Sequence, residues 1–381
     1  MKICFLASAS SIHTVRWVNA MAERGHDVHL ITMHRPDKDK IDDRVNVYFL
    51  PLNPPMGYYL NVFKVRKLLK QIKPDILNTH YASGYGTLSR LVNFKPTLLS
   101  VWGSDVFDFP YRGKINEKIL RKNLKAATQI ASTSFAMKEQ TERFVSPNLS
   151  IEVTPFGVDM NLFKPNQNRK EKDTITIGVV KRLEEVYGIE YLIRATAVLI
   201  KKLKKNQLDE MAERIRLLIV GKGSLLDKLQ NIAHDFRISH ITTFVGAVLN
   251  TKVAEYLNKM DIFCVPSLQE SFGVAAVEAS ACELPVIVSN VGGLPEVVKD
   301  GETGFIVEPK NIQQLADRLY DLVIDPELRM RLGKNGRNFV NSFYNWKEKF
   351  HEQRLLSTRD ENGHSKGAHF HGKCKKNGNS L

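Results

Sequence analysis

Short β-branched and apolar runs alternate along this chain with segments whose apolar positions recur at helical spacing. "KICFLA" is followed by a helical pattern from Ile12 to Arg24, then by "DVHLIT" and "NVYFL". A basic helical segment near 60–72, the run "DILNT", a helical pattern near 84–93 and "TLLSV" continue the series. Strands separated by helix-length amphipathic segments predict a parallel sheet with helices on both faces. The first residues, "MKICFLASAS", read as a core strand rather than a signal peptide, because one Lys and a short apolar run lead straight into an amphipathic segment.

The pattern stops at "VTPFGVDMNLFKPNQNRKEKD" (153–173), which is rich in Pro, Asn and Lys and reads as turns and a linker. It then restarts. "TITIGVV", "IRLLIV", "ITTFVG", "DIFCVP" and "PVIVS" are predicted strands, with helices expected at 188–205, 224–236, 250–259 and after "ESFG". The chain therefore divides into an N-terminal doubly wound domain (1–158), a linker (159–172), and a second doubly wound domain (173–340). A helix (341–358) follows, and then a polar, aperiodic tail (359–381) expected to be disordered. Two such domains in tandem place a cleft between the carboxyl ends of their strands.

Composition adds little except through charge. With 43% hydrophobic and 25% charged residues the chain reads as globular, and no apolar run approaches the roughly 20 residues of a membrane span. Cys4, Cys264, Cys282 and Cys374 show no metal-ligand spacing and read as reduced thiols of a cytoplasmic protein. The formal charge is +14. "NVFKVRKLLKQIK" (61–73) holds five cations and no acid, with Val62, Phe63, Val65, Leu68, Leu69 and Ile72 as an apolar stripe. "YRGKINEKILRKNLK" (111–125) is similarly basic. Both are either solvated faces of core helices or surfaces for an anionic membrane. No aromatic–basic interleaving or compact motif supports nucleic-acid binding. Neither domain opens with the G-x-G-x-x-G turn of a dinucleotide oxidoreductase.

The richest chemistry lies in "VPSLQESFGVAAVEASACELPVIVSNVGGLPEVV" (265–298). Glu270 falls in a turn. The amides of Phe272, Gly273 and Val274 open the next helix and point outward, as an anion site requires. Glu278 lies inside that helix among apolar residues, where a carboxylate needs a hydrogen-bonding partner. The pair serves either a ligand bearing hydroxyls or internal roles, a cap at Glu270 and a salt bridge at Glu278. A second cationic strand-to-helix turn reads "VVKRLEEVYGIEYLIRA" (179–195).

Glu270 and Glu278, with seven residues between them, resemble the paired-glutamate motif of the retaining glycosyltransferases of family 4. "SIHTVRWVNAMAERGHDVHLIT", "VWGSD" (101–105), "PFGVDMNLFKP" (155–165), the "GKGS" turn that starts at Gly221, and "VSNVGGLPEVVKDGETGFIV" (288–307) extend the resemblance over about 1–356. It implies the GT-B fold: two Rossmann-like domains facing across a cleft, the second binding a nucleotide-sugar, with the last helix returning to the first. It also implies roles. Glu270 would meet the donor sugar hydroxyls, and Glu278 the ribose. The amides of Phe272, Gly273 and Val274 would meet sugar or diphosphate, and Arg182 would grip the diphosphate, with Lys181 and Gly221 lining the site. Negative charge that builds on the leaving diphosphate is stabilised by such fixed cations, and Arg binds bidentately. The nucleotide-sugar enters as substrate; no cofactor and no metal are implied.

In the N-terminal half, His80 and Asp105 follow predicted strands and are expected to face the cleft. His80 would orient acceptor or donor, or be a structural histidine. Asp105 reads as a polar cleft residue rather than a turn former. Ser11 and His13 lie in the first strand-to-helix turn, and Trp102 stands where relatives carry His. The larger departure is at 186–187: relatives place a Lys at one of these positions, and this chain has Val186 and Tyr187. The expected function is transfer of sugar from a nucleotide-sugar to a glycan or lipid-linked acceptor. The alternative is a weak or inactive relative that works as a binding partner.

Overall fold

The computed structural model describes residues 1–35, 40–146, 149–166 and 173–346. Seven strands form the first sheet: β1 (Lys2–Leu6), β2 (Asp27–Thr32), β3 (Asn46–Phe49), β4 (Ile76–His80), β5 (Thr97–Val101), β6 (Gln129–Ser132) and β7 (Ile151–Val153). Their order is β3-β2-β1-β4-β5-β6-β7. Six more form the second: β8 (Ile175–Val180), β9 (Ile215–Val220), β10 (Thr242–Gly246), β11 (Ile262–Val265), β12 (Val286–Ser289) and β13 (Gly304–Val307). Their order is β10-β9-β8-β11-β12-β13. Every pairing in both sheets is parallel. The predicted α/β, doubly wound architecture with two Rossmann-like sheets is the observed one.

Both orders reverse beside their first strand, between β1 and β4 and between β8 and β11. At such a switch point the flanking helices leave in opposite directions and the strand ends border a crevice. The inner strands are almost wholly buried, as continuous apolar runs in covered parallel sheets require, while the edge strands β3 and β10 are exposed or half-buried along most of their length. The first sheet is sandwiched by two cores. One joins it to the helix Ile12–Glu23 through Val15 and Val18, the other to the helices Val62–Ile72 and Gly84–Val92. Aromatic residues close the join between the halves: Trp102, Phe156 and Phe272 pack in one core with Val340 and Tyr344 of the long helix Pro326–Tyr344.

Two expectations change. In the basic segment, Val62, Val65, Leu68, Leu69 and Ile72 are buried as expected, but Phe63 is 81% exposed. One hundred degrees per residue rotates position 63 off the buried arc and onto the solvent face. The helix expected from 341 is the end of a longer one, which stops at Tyr344 where Asn345 turns extended. Trp346 then packs edge-on against Trp17, and its amide donates to the Val158 carbonyl at 3.0 Å. The remainder of that segment and the tail from 359 lie outside the described residues. Cys4, Cys264 and Cys282 are free and buried, and burial pushes their thiols up; Cys374 lies outside the described residues.

Candidate functional site

The second switch point brings the predicted donor residues together. Lys181 follows β8 and Glu270 follows β11, the two strands on either side of the reversal. Lys181 Nζ donates to Glu270 Oε2 at 2.5 Å, with the side chains 14% and 12% exposed. The ammonium also sits 4.9 Å from the centre of the Tyr187 ring, close enough for a cation–π contact. Glu278 lies on the helix Val274–Ala281, and its side chain is 9% exposed. Arg16 Nη2, from the helix Ile12–Glu23 of the other half, donates to Glu278 Oε1 at 3.4 Å and is 18% exposed. Burial pushes the Glu278 carboxyl up; Arg16 first and Lys181 second pull it back. Two carboxylates and two cations, three from one half and Arg16 from the other, thus share a small buried volume.

The backbone around them is held by close approach. Gly221, at φ +147°, has the Lys181 carbonyl 1.7 Å from where a Cβ would stand, and Gly292, at φ +51°, has the Glu270 carbonyl equally near. These glycines let neighbouring strand ends lie against the two charged residues, and no other residue fits. Phe272 is buried, Gly273 precedes the helix Val274–Ala281 and Val274 begins it, as predicted.

Arg182 departs from expectation. It is 74% exposed and reaches Glu184 at 3.4 Å; Glu184 in turn accepts from Ser224 in the turn after Gly221. Adjacent side chains of an extended segment point oppositely, and here Lys181 takes the direction of Glu270. The Val186 carbonyl accepts from the Leu268 amide at 2.8 Å and from the Gln269 amide at 3.4 Å.

The first-half residues are also placed differently from expectation. Asp105 is buried and spends its carboxylate on backbone: Oδ2 accepts from Ala82 at 2.8 Å, and Oδ1 from Gly103 at 2.9 Å and Trp102 at 3.2 Å. Burial pushes its carboxyl up against those bonds. It organises the turn after β5 rather than facing the cleft, since each oxygen already has its partners. His80 is buried at the end of β4, its Nδ1 3.3 Å from Thr14 Oγ1 and its ring 4.1 Å from that of Trp102. Burial, with His13 adding, pushes it down to about 3, so the ring is neutral. His13 stacks on Phe156 at 4.2 Å and is pushed down to about 4 by burial and by Arg16. Ser11 precedes the helix Ile12–Glu23 without capping it through its side chain.

Sequence reasoning passed over Arg16, quoted only inside a longer segment. Its one signal is a cation on the helix after β1, aimed at the first switch point. It also passed over the contacts that fix the halves together. Ser134 Oγ donates to the Ser271 carbonyl at 2.6 Å, and the Phe135 and Ala136 amides donate to the Glu296 carboxylate at 2.8 and 2.7 Å.

A two-sheet α/β chain with charged residues at facing switch points is the arrangement of a GT-B glycosyltransferase. The family description "Glycosyl transferases group 1" matches residues 161–339, and "Glycosyl transferase 4-like" matches residues 2–134. Both matches are to glycosyltransferases, one on each half, and together they take in most of the chain. It is 25% identical over 358 residues to the N-acetyl-alpha-D-glucosaminyl L-malate synthase of Bacillus anthracis, covering 88% of each chain. Its fold matches the sucrose-phosphate synthase of Thermosynechococcus elongatus with a TM-score of 0.79 and 21% identity, covering 93% of this chain and 98% of that one. Anabaena HepE, solved with UDP-glucose, matches with a TM-score of 0.76 and 17% identity over 94% of this chain and 100% of its own.

Proposed function

We propose that this protein transfers a sugar from a nucleotide-sugar to a glycan or lipid-linked acceptor with retention of anomeric configuration, in the synthesis of a cell-surface polysaccharide or glycolipid. The observation that carries this reading is the buried cluster of Lys181, Glu270, Arg16 and Glu278 at the switch points. Glu270 accepts hydrogen bonds from donor sugar hydroxyls, and Glu278 from the ribose. The amides at Phe272, Gly273 and Val274 face sugar or diphosphate. As the bond from the anomeric carbon to the diphosphate breaks, its electron pair passes to the phosphate oxygen. Fixed cations of the chain stabilise the charge that develops there. Retention requires the acceptor oxygen to bond on the face the diphosphate leaves, and the acceptor hydroxyl's proton passes to the departing phosphate oxygen. With cations in this role the transfer runs without a metal. A thermal-shift screen of UDP-, GDP- and ADP-sugars tests the reading: stabilisation by donors of one base is expected, and no shift with any donor would refute it.

The acceptor is delivered at the inner face of a membrane. Met56, Tyr59, Leu60 and Phe63 are exposed in succession around the start of the basic helix, where Lys64, Lys67 and Lys70 are also exposed. Apolar residues beside cations fit an anionic bilayer surface, and no helix among the described residues is long and apolar enough to cross one. Val186 and Tyr187 motivate the competing reading of a weak or inactive relative; measurable transfer by the unaltered chain eliminates it.

A further inference from the structure

Seven non-glycine residues among the described ones stand at positive φ. Five of them, Lys73, Asn93, Gln207, Arg237 and Glu283, lie just past helix ends, where that geometry is ordinary, and Lys310 lies in an exposed turn. Tyr81 differs. It follows β4 directly, at the first switch point, with φ +70°. A side chain at positive φ is strained, and glycine or asparagine would take the position more readily. The neighbours hold that strain in place. The Tyr81 amide donates to the Ser100 carbonyl at 3.0 Å, and its carbonyl accepts from the Gly86 amide at 2.9 Å. The next residue is held at both ends: the Ala82 amide donates to Asp105 at 2.8 Å, and the Ala82 carbonyl accepts from the Asn123 side chain at 2.8 Å. Backbone strain over-determined in this way collects where a chain meets a ligand.

What the strain presents is a phenol. Its ring is half-buried and meets the Trp102 ring at 5.3 Å and 65°, so it is propped at an angle rather than stacked flat. Burial first, then Asp105 and Tyr187, push its hydroxyl up to about 12, and it stays protonated at neutral pH. Among the described residues no hydrogen-bond partner takes up that hydroxyl. Tyr187 belongs to the other half, so the two phenols stand near each other across the cleft. The Lys181 ammonium lies 4.9 Å from the centre of the Tyr187 ring and bonds Glu270 at 2.5 Å. Tyr81 therefore faces, from the first half, the turn that carries Glu270. A flat apolar face beside a protonated hydroxyl suits a pyranose, which offers C–H bonds on its ring face and oxygen acceptors at its rim. Resting on the transfer reaction proposed above, we infer that Tyr81 is the stacking platform for the acceptor, and that the acceptor is a pyranoside rather than an open-chain alcohol.

Transfer from UDP-, GDP- and ADP-sugars by the full chain to octyl pyranosides (glucoside, galactoside, mannoside and N-acetylglucosaminide) and to octylglycerol tests this. The two kinds of acceptor share an alkyl chain and free hydroxyls and differ in the sugar ring. The wild-type chain should use at least one pyranoside about tenfold better in kcat/KM than octylglycerol. Tyr81→Asn, which takes positive φ with less strain, should raise the KM for that pyranoside by about three- to tenfold, the value of one aromatic face, with the donor KM within about twofold. Tyr81→Phe keeps the face and should stay within about twofold of the wild type. Should Tyr81→Asn fail to fold, Tyr81→Leu keeps the bulk without the flat face, and the same rise in KM is expected. An unchanged pyranoside KM in the folded variant, or octylglycerol used as well as the pyranosides, would overturn the inference. So would donor hydrolysis by the wild-type chain with no transfer to any pyranoside, a result that leaves the donor site standing. A wild-type chain that releases no nucleoside diphosphate from any donor would sink the proposed function itself, and this inference with it.

Discussion

His80 and His13 set the acid limit of this fold. Both rings are buried and neutral, pushed down to about 3 and about 4 from an ordinary value of 6.5. A depressed folded value means that their stability contribution is fully present above pH 6.5 and is lost as pH falls toward those values. Each histidine should cost about 1.4 kcal/mol per pH unit below 6.5. Urea unfolding at pH 7, 6 and 5 should show this slope, and His80→Gln should flatten it; an unchanged slope would contradict the burial argument. The raised carboxyls of Asp105 and Glu278 have the opposite sign, since their contribution is present below about 4.5 and lost above. At this scale the sequence was legible in part. Residue type and the strand-to-helix position marked Glu270, Glu278 and Lys181, because those follow from topology. The direction of Arg182, the backbone bonds of Asp105 and the reach of Arg16 depend on contacts between segments far apart in the chain, which no local pattern encodes.

Turns and helices decide where those side chains stand. A methyl group at position 221 would meet the Lys181 carbonyl and one at 292 the Glu270 carbonyl. Gly221→Ala and Gly292→Ala should therefore each destabilise the chain by about 1–3 kcal/mol through strain and displacement, and transfer should fall further than stability does. Wild-type unfolding midpoints in either variant would contradict this. The helix Val62–Ile72 makes the reverse case. Phe63 projects from it into solvent, so Phe63→Ser should change stability by no more than about 0.5 kcal/mol. The same change should reduce cosedimentation with vesicles containing phosphatidylserine; undiminished binding would refute a role for this face at membranes. Element types and order were readable from periodicity, because buried parallel strands and amphipathic helices leave different patterns. The exposed face was not, since an apolar residue at the edge of a stripe reads the same whether it points in or out.

At the scale of the molecule, two doubly wound sheets present their switch points to each other, and contacts across the join fix that register. Glu296 accepts two backbone amides of the first half, at Phe135 and Ala136, and Ser134 reaches the Ser271 carbonyl. Glu296→Ala leaves those amides without their acceptor and should cost about 1–3 kcal/mol in guanidinium unfolding; an unchanged midpoint would show that these two bonds do not help hold the halves. Two sheets and a cleft were legible from the restart of the strand–helix alternation after 173. Which residues meet across the cleft was not, because that depends on the relative placement of two separately wound halves. The central claim is that this cleft activates a nucleotide-sugar through Glu270 and its cationic neighbours. Its most direct test is release of nucleoside diphosphate from UDP-, GDP- and ADP-sugars by the wild-type chain and by Glu270→Gln. The account predicts release from donors of one base, falling by about 10²–10³-fold in the variant; no release from any donor, or equal release by both proteins, would contradict it.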